Sequence, residues 1–208
     1  MVTDNKTLDK VYTAEDHTQL MDAYKDWAID YDSDTVEKFG YVAHIATAKG
    51  LEKVLEEKNA RILDAGCGTG LVAEILNKIG YVNIDALDYS KEMLAEAESK
   101  QIYKKVIHAD LSKTLDINEN TYDAIVCAGT FTYGHVEANA FDELIRITRP
   151  GGIIIFTIRE GAYQDYNYRK RMIELEQSNA WELLDMHDED YLKNEGVGCK
   201  LCTYKVTD

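Results

Sequence analysis

Three glycines at alternate positions restrict the fold of this chain more than any other feature. They lie in the run D-A-G-C-G-T-G, which extends from Asp64 to Gly70. An apolar stretch precedes the run at residues 61–63, and residues 71–76 after it have helical spacing. Glycine permits a sharp turn and lets a ligand lie against bare backbone, and a helix N-terminus offers unpaired N–H groups. The run therefore predicts the strand, glycine-rich turn and helix of an α/β nucleotide site.

The spacing of these glycines differs from that of a dinucleotide-binding fingerprint, G-x-G-x-x-G. Leu71 stands where a third dinucleotide glycine would fall, which argues against NAD. A βα turn without any ligand is the simpler alternative, but such a turn needs neither alternate glycines nor an acid at the strand end. The run resembles motif I of the class I S-adenosyl-L-methionine (SAM)-dependent methyltransferases, which release S-adenosyl-L-homocysteine as product.

Length and charge narrow the class of protein. The chain has 208 residues and a formal net charge of −15, which suits one sizeable core and disfavours a nucleic-acid partner. Residues 169–171, R-K-R, are a local basic exception that fits a solvated helix face. No apolar run reaches the length of a membrane span, and residues 1–6 lack a signal-peptide core. We expect a cytoplasmic protein, monomeric or homodimeric, with no membrane partner.

Strands and helices are expected to alternate from residue 60 onward. The apolar runs 124–128 and 153–156 are typical of strands buried on both faces of a parallel sheet. Two helical segments, 18–27 and 35–57, are predicted before residue 60, the second either continuous or broken near Gly50. The predicted strands are 61–64, 83–87, 105–109, 124–128 and 153–158, and the predicted helices are 71–78, 91–100, 137–147 and 163–178.

The end of the chain predicts two further strands, 181–191 and 200–206. The loop between them is too short for a helical crossover, so they should be antiparallel. The resemblance implies a Rossmann-like, mostly parallel seven-stranded sheet with this C-terminal hairpin and with N-terminal lid helices. We divide the chain into an N-terminal tail and lid, residues 1–32, and a SAM-binding domain, residues 33–208.

Candidate cofactor-binding residues follow the first three strands. Asp88 lies about 20 residues after the glycine loop, where an acid binds a ribose in dinucleotide folds; the alternative is an exposed acid at a helix start. Tyr89 and Met93 could pack on adenine, although Met93 is equally well placed in the core. By resemblance, Asp110 and the backbone of Leu111 contact adenine, but Asp110 could instead cap the next turn. The other predicted cofactor-binding residues are Asp64, Gly66, Cys67, Gly68, Gly70, Ala128 and Gly129, together with the aromatic residues Tyr24, Trp27 and Tyr31.

The fourth strand ends near the expected methyl position, because ligands lie at the carboxyl ends of parallel strands. His135 is a candidate general base there, or it simply begins the next helix. Tyr133 is the substitute catalytic candidate. Arg159 could clamp a substrate carboxylate, or it could pair with one of the many acids of the chain. The predicted substrate-binding residues are Tyr31, Thr130, Phe131, Arg159 and Tyr163.

An aromatic block precedes the α/β region, with Tyr24, Trp27 and Tyr31 in the pattern Y-x-x-W-A-x-x-Y-D. It could seal the sheet edge, or it could close over SAM and substrate. With D-x-G-C-G-T-G-L-V-A and R-P-G-G, the pattern resembles the small methyltransferases of the Williams–Beuren syndrome region 27-like group, over most of residues 20–185. The resemblance implies metal-independent methyl transfer to a nitrogen, oxygen or sulfur of a small molecule. A protein methyltransferase and a SAM-binding module without catalysis remain as alternatives.

Overall fold

A seven-stranded sheet forms the centre of the molecule, with the strand order β3-β2-β1-β4-β5-β7-β6. The computed structural model describes Gln19, Trp27 and residues 31–133 and 136–207. The strands are β1 (Ile62–Ala65), β2 (Ile84–Asp88), β3 (Lys105–His108), β4 (Tyr122–Phe131), β5 (Thr148–Arg159), β6 (Trp181–Leu192) and β7 (Val197–Val206).

Strands β1 to β5 run parallel to one another, and β7 is antiparallel to both β5 and β6. A short 3₁₀ turn, Lys193–Glu195, joins β6 to β7, as the short loop predicted. The middle of β4 and of β5 is fully buried, because helices cover both faces of the sheet. The predicted mostly parallel Rossmann-like sheet with an antiparallel hairpin is confirmed.

Helices α5 and α7 pack on one face of the sheet, and α2 and α3 pack on the other. None of the helices in the described ranges is long and apolar enough to cross a membrane. The helices are α1 (Tyr31–Ser33), which continues as a π-helical turn over Asp34–Lys38, α2 (Ala43–Val54), α3 (Leu71–Lys78), α4 (Lys91–Ser99), α5 (Ala140–Ile147), α6 (Ala162–Asp165) and α7 (Tyr168–Gln177).

The N-terminal helices differ from the prediction. The break in the segment 35–57 falls at residues 39–42, where Gly40 has φ +64°, and Gly50 lies inside α2. A Cβ at Gly50 would lie 3.5 Å from the side chain of Leu201, so this glycine lets α2 pack closely on the sheet. Of the predicted helix 18–27, only Gln19 and Trp27 are among the described residues.

Two boundaries after β4 also differ. Strand β4 continues to Phe131, beyond the predicted end at residue 128, and β5 already begins at Thr148. The single predicted helix 163–178 is two helices, α6 and α7, separated at residues 166–167. Of these changes, the continuation of β4 lengthens the carboxyl end of a strand, which is the end that faces the candidate site.

Candidate functional site

A pocket opens at the carboxyl ends of the parallel strands, above the glycine-rich loop. Its space, counted out to the open mouth and including solvent there, is about 940 Å³. We call the part lined by residues 66–69, 88–93 and 109–111 the loop end. The tyrosine end is the part lined by Tyr31, Tyr41, His44, Gly129, Thr130 and Val136.

Most of the predicted cofactor-binding residues line this one pocket. Local motifs in three different loops therefore converge in space, as expected for the carboxyl edge of a parallel sheet. The predicted residues that line it are Tyr31, Gly66, Cys67, Gly68, Asp88, Tyr89, Met93, Asp110, Leu111, Ala128, Gly129 and Thr130.

The glycine loop is fixed to the end of β2 by main-chain hydrogen bonds. The N–H groups of Gly66 and Cys67 donate to the carbonyl of Leu87, at 2.7 and 3.0 Å. A Cβ at Gly66 would overlap the hydroxyl of Thr130, whereas a Cβ at Gly68 would meet nothing within 4 Å. Gly66 therefore permits the packing of β1 against β4. Gly68 leaves bare backbone facing the pocket, where a ligand can lie.

Asp88 accepts two main-chain hydrogen bonds at the loop end. Its Oδ2 accepts from the N–H of Gly68 at 2.8 Å, and its Oδ1 accepts from the N–H of Ser90 at 2.9 Å. Each carboxylate oxygen can accept more than one hydrogen bond, so both retain capacity for the two hydroxyls of a ribose. Burial raises the pKa of Asp88, while the two main-chain donors oppose that change.

Asp64 supports the loop from below and does not line the pocket. It is 1% exposed, and the hydroxyl of Tyr103 donates to its Oδ2 at 2.7 Å. Burial raises the pKa of Asp64 to about 7. Tyr103 also stands against Gly70, whose Cβ would lie 3.0 Å from its hydroxyl oxygen. Sequence reasoning missed Tyr103 because it lies in a turn before β3 with no recognisable motif.

The residues expected to contact adenine are compatible with both interpretations, contact with adenine and a structural role. Met93 lines the pocket and is 3% exposed, while Tyr89 is 38% exposed. Oδ1 of Asp110 accepts from the N–H of Ser112 at 2.9 Å, and Oδ2 lies 3.1 Å from Lys113 Nζ. Asp110 therefore caps the next turn and also lines the pocket, and its contact with adenine stays a prediction.

Two predicted residues near the end of β4, Phe131 and Tyr133, lie outside the pocket. Phe131 is fully buried among Phe141, Phe156 and Tyr168, so it belongs to the core; its prediction as a substrate residue is corrected. The hydroxyl of Tyr133 abuts Gly161 and lies 3.5 Å from the carboxylate of Asp165, away from the pocket. His135 lies outside the described residues.

Arg159 and Tyr163 also do not line the pocket. Arg159 is 7% exposed, and its guanidinium lies 5.1 Å from the centre of the Tyr133 ring. Tyr163 lies beside Lys200, whose Nζ is 6.0 Å from its ring centre.

The N-terminal aromatic block divides between the core and the pocket. Trp27 is 6% exposed, packs edge-on against Tyr31 and Phe39, and donates to Asp34 at 3.2 Å. It supports the segment, while Tyr31 lines the pocket. Tyr24 lies outside the described residues.

Asp32 ties this N-terminal segment to the glycine loop. Its Oδ1 accepts from the hydroxyl of Thr69, and its Oδ2 lies 2.6 Å from Lys100 Nζ. Lys100 also pairs with Glu74 on α3. The predicted closing segment is therefore held to the same loop that lines the pocket.

Sequence reasoning missed His44, which lies at the tyrosine end. It is 6% exposed, and its Nδ1 has no hydrogen-bond partner among the described residues. Burial lowers the pKa of His44 to about 4, against an opposing influence of Glu74 and Asp32, so the imidazole is neutral near pH 7. In the sequence, His44 belongs to no recognisable motif, and the residues around it have the pattern of an ordinary helix.

Comparisons with known proteins agree with the geometry. The methyltransferase domain family matches residues 63–156. Human methyltransferase-like protein 27 is 33% identical over 188 residues, 87% of this chain and 76% of that protein. A malonyl-[acyl-carrier protein] O-methyltransferase of Buchnera aphidicola is 32% identical over 76% of this chain, which spans 62% of that enzyme.

A solved structure from Methanococcus maripaludis, classed as a SAM-dependent methyltransferase, has the same fold. Its TM-score is 0.62 and its sequence identity is 20%, over 88% of this chain and 94% of that one. The fold and the pocket define a SAM-dependent methyltransferase with a Rossmann-like sheet. The chain belongs to the family that includes methyltransferase-like protein 27.

Proposed function

We propose that this enzyme transfers the methyl group of SAM to a nitrogen, oxygen or sulfur atom of a small molecule. The observation that carries the proposal is the aromatic lining of the pocket: Tyr31 and Tyr41 line the same space as the glycine loop. A concave pocket with an aromatic lining suits a small acceptor, whereas a protein substrate needs an extended groove. The acceptor would lie at the tyrosine end, beside Thr130.

The chain offers a partner for each part of SAM. Bare backbone at Gly68 suits the methionine part, and Asp88 suits the ribose hydroxyls. Met93 and Leu111 line the pocket, and we assign adenine to the space beside them. When bound, SAM supplies a methyl group on a cationic sulfur; its transfer to an acceptor lone pair breaks the carbon–sulfur bond and leaves a neutral thioether. The contribution of the protein is chiefly to align the two reactants.

A proton must leave the acceptor when the reacting atom is protonated. His135 remains our predicted base for that proton, and an acceptor that is already deprotonated needs none. The malonyl-[acyl-carrier protein] O-methyltransferases among the relatives suggest a second acceptor class, a carboxylate linked to a carrier. For that class, Arg159 is the predicted clamp.

Acceptor-dependent formation of S-adenosyl-L-homocysteine tests the proposal. The enzyme is incubated with SAM and, in turn, an amine, a phenol, a thiol, a free malonyl thioester, a carrier-linked malonyl thioester and a mixture of peptides. Asp88→Ala serves as the variant with a weakened cofactor site. We expect product with at least one free small molecule. Product with the peptides alone, or no acceptor-dependent product, would contradict the proposal.

A further inference from the structure

Two tyrosine hydroxyls converge on Gly129, at the end of β4. A Cβ at this glycine would lie 2.9 Å from the hydroxyl oxygen of Tyr41 and 3.3 Å from that of Tyr191. Gly129 has φ +77°, and its N–H donates to the hydroxyl of Thr157 at 3.0 Å. The backbone at this point is thus fixed, and it has no side chain that would push the hydroxyls away.

The ring of Tyr41 is held from two sides. His44 stacks on it, with ring centres 5.1 Å apart and an interplanar angle of 18°. Tyr191 packs edge-on against it, with ring centres 5.2 Å apart. Edge-to-face and offset-stacked pairs are the favoured aromatic geometries, so they hold the ring in one orientation.

The main chain also connects these residues, although they are about 150 positions apart in sequence. The N–H of Val42 donates to the carbonyl of Tyr191 at 3.1 Å, and Tyr41 forms an isolated bridge with Leu192. The C-terminal hairpin thereby fixes the position of Tyr41 relative to Gly129. Of the two tyrosines, Tyr41 lines the pocket.

We propose that Tyr41 is a catalytic residue whose hydroxyl touches the methyl group being transferred, and that Tyr191 and His44 are its positioning residues. The inference rests on the proposed function, because it places the methyl group of bound SAM beside Gly129. A methyl on a cationic sulfur has polarised C–H bonds, and an oxygen lone pair can accept weak hydrogen bonds from them. Tyr41 fixes the direction of the methyl group toward the acceptor.

The test uses SAM labelled with ¹³C in its methyl group, bound to the full chain and observed by NMR. Tyr41→Phe keeps the aromatic ring and removes only the hydroxyl. We expect the bound methyl proton resonance to move upfield in this variant, toward its position in free SAM. The affinity for S-adenosyl-L-homocysteine, which lacks the methyl group, should stay within about threefold, because no more than a weak contact is lost.

Tyr191 provides the matched control. Tyr191→Phe keeps the ring that packs on Tyr41 and should leave the methyl resonance where the wild type has it. Tyr191→Ala removes that ring and should shift the resonance toward its position in Tyr41→Phe. A purely structural role of the two tyrosines predicts no difference between these spectra once the variants bind the product normally.

The possible failures are distinguishable. An unchanged methyl resonance in Tyr41→Phe would overturn the inference and leave the proposed function in place. Equal effects of Tyr191→Phe and Tyr191→Ala would remove Tyr191 as a positioning residue. If the wild type gave no bound methyl resonance at all, the proposed function and the inference would fall together.

Discussion

The two ends of the pocket differ in whether main-chain or side-chain groups form them. The loop end is mostly main chain: N–H groups of Gly66, Cys67 and Gly68 are bound to the end of β2. The tyrosine end is mostly side chains, which come from α1, the turn before α2, the first turn of α2, the end of β4 and the segment that follows β4. A main-chain site tolerates many sequences around a few glycines, whereas a side-chain site changes with each substitution. The difference explains how one fold can hold one cofactor and many acceptors.

The strongest test of this comparison is at Gly66, where the two ends meet. Gly66→Ala places a Cβ on the hydroxyl of Thr130 at φ +68°. The left-handed backbone and the overlap should together cost about 2–5 kcal/mol of stability. We expect a lower thermal midpoint. We also expect product binding to weaken more than about 100-fold, which corresponds to a loss of about 2.7 kcal/mol of binding free energy.

The double variant Gly66→Ala, Thr130→Ala removes the hydroxyl that the new Cβ meets. It should recover part of the lost stability and binding. Wild-type stability in the single variant would contradict the packing of β1 against β4 described above.

Asp64 tests whether the buried carboxyl next to the loop end is protonated in the folded protein and stabilises it. The folded carboxyl, with a pKa raised to about 7 by burial, keeps its proton between about pH 4 and 7, whereas the unfolded one loses it near its usual value. Its stabilising contribution is therefore present at low pH and lost as the pH rises through 7, by at most about 4 kcal/mol. Asp64→Asn should remove this loss, while it keeps an acceptor for Tyr103.

Urea unfolding at pH 4.5 and 8, values that bracket the expected titration, measures the effect as a difference between wild type and variant. The matched control is Asp116→Asn, because Asp116 is exposed and should leave the wild-type pH dependence unchanged. The same pH dependence in all three proteins would mean that Asp64 stays ionised in the folded state.

Gly68 tests the main-chain character of the loop end by itself. Gly68 and Gly151 both have positive φ, +53° and +76°, and a Cβ at either would meet nothing within 4 Å. Only Gly68 lines the pocket. Gly68→Ala should weaken product binding about tenfold, the effect of roughly 1.4 kcal/mol, while Gly151→Ala leaves it unchanged. Equal affinities in a calorimetric titration of the two variants would show that no ligand lies on Gly68.

Asp32, which joins the N-terminal segment to Thr69 of the loop end, gives the smallest expected effect. Asp32→Asn removes the ion pair with Lys100 and keeps the shape of the side chain. Because the Asp32 side chain is 38% exposed, the pair is worth at most about 1 kcal/mol, and we expect product binding to weaken by no more than about fivefold. Limited proteolysis should cut the N-terminal segment faster. Unchanged cleavage would mean that Asp32 does not hold the segment to the loop.

The residues of the loop end were easier to predict from the sequence than those of the tyrosine end. The loop, Asp88 and the hairpin were predictable because each is encoded within a few neighbouring residues. Tyr41, His44 and Tyr191 were not, since their proximity depends on a main-chain bridge between the two ends of the chain. Phe131 was wrongly expected to face the substrate because β4 continues three residues further than its apolar run suggested.

The central claim is that SAM binds at the loop end with its ribose on Asp88. A calorimetric titration of S-adenosyl-L-homocysteine into the wild type, Asp88→Ala and Asp116→Ala tests it most directly. We expect micromolar affinity for the wild type, about −8 kcal/mol, unchanged in Asp116→Ala. Asp88→Ala should lose about 1.5–3 kcal/mol, the range for a hydrogen bond to a charged group, with its fold intact. Unchanged affinity in Asp88→Ala, or tighter binding of NAD than of the product by the wild type, would contradict the account.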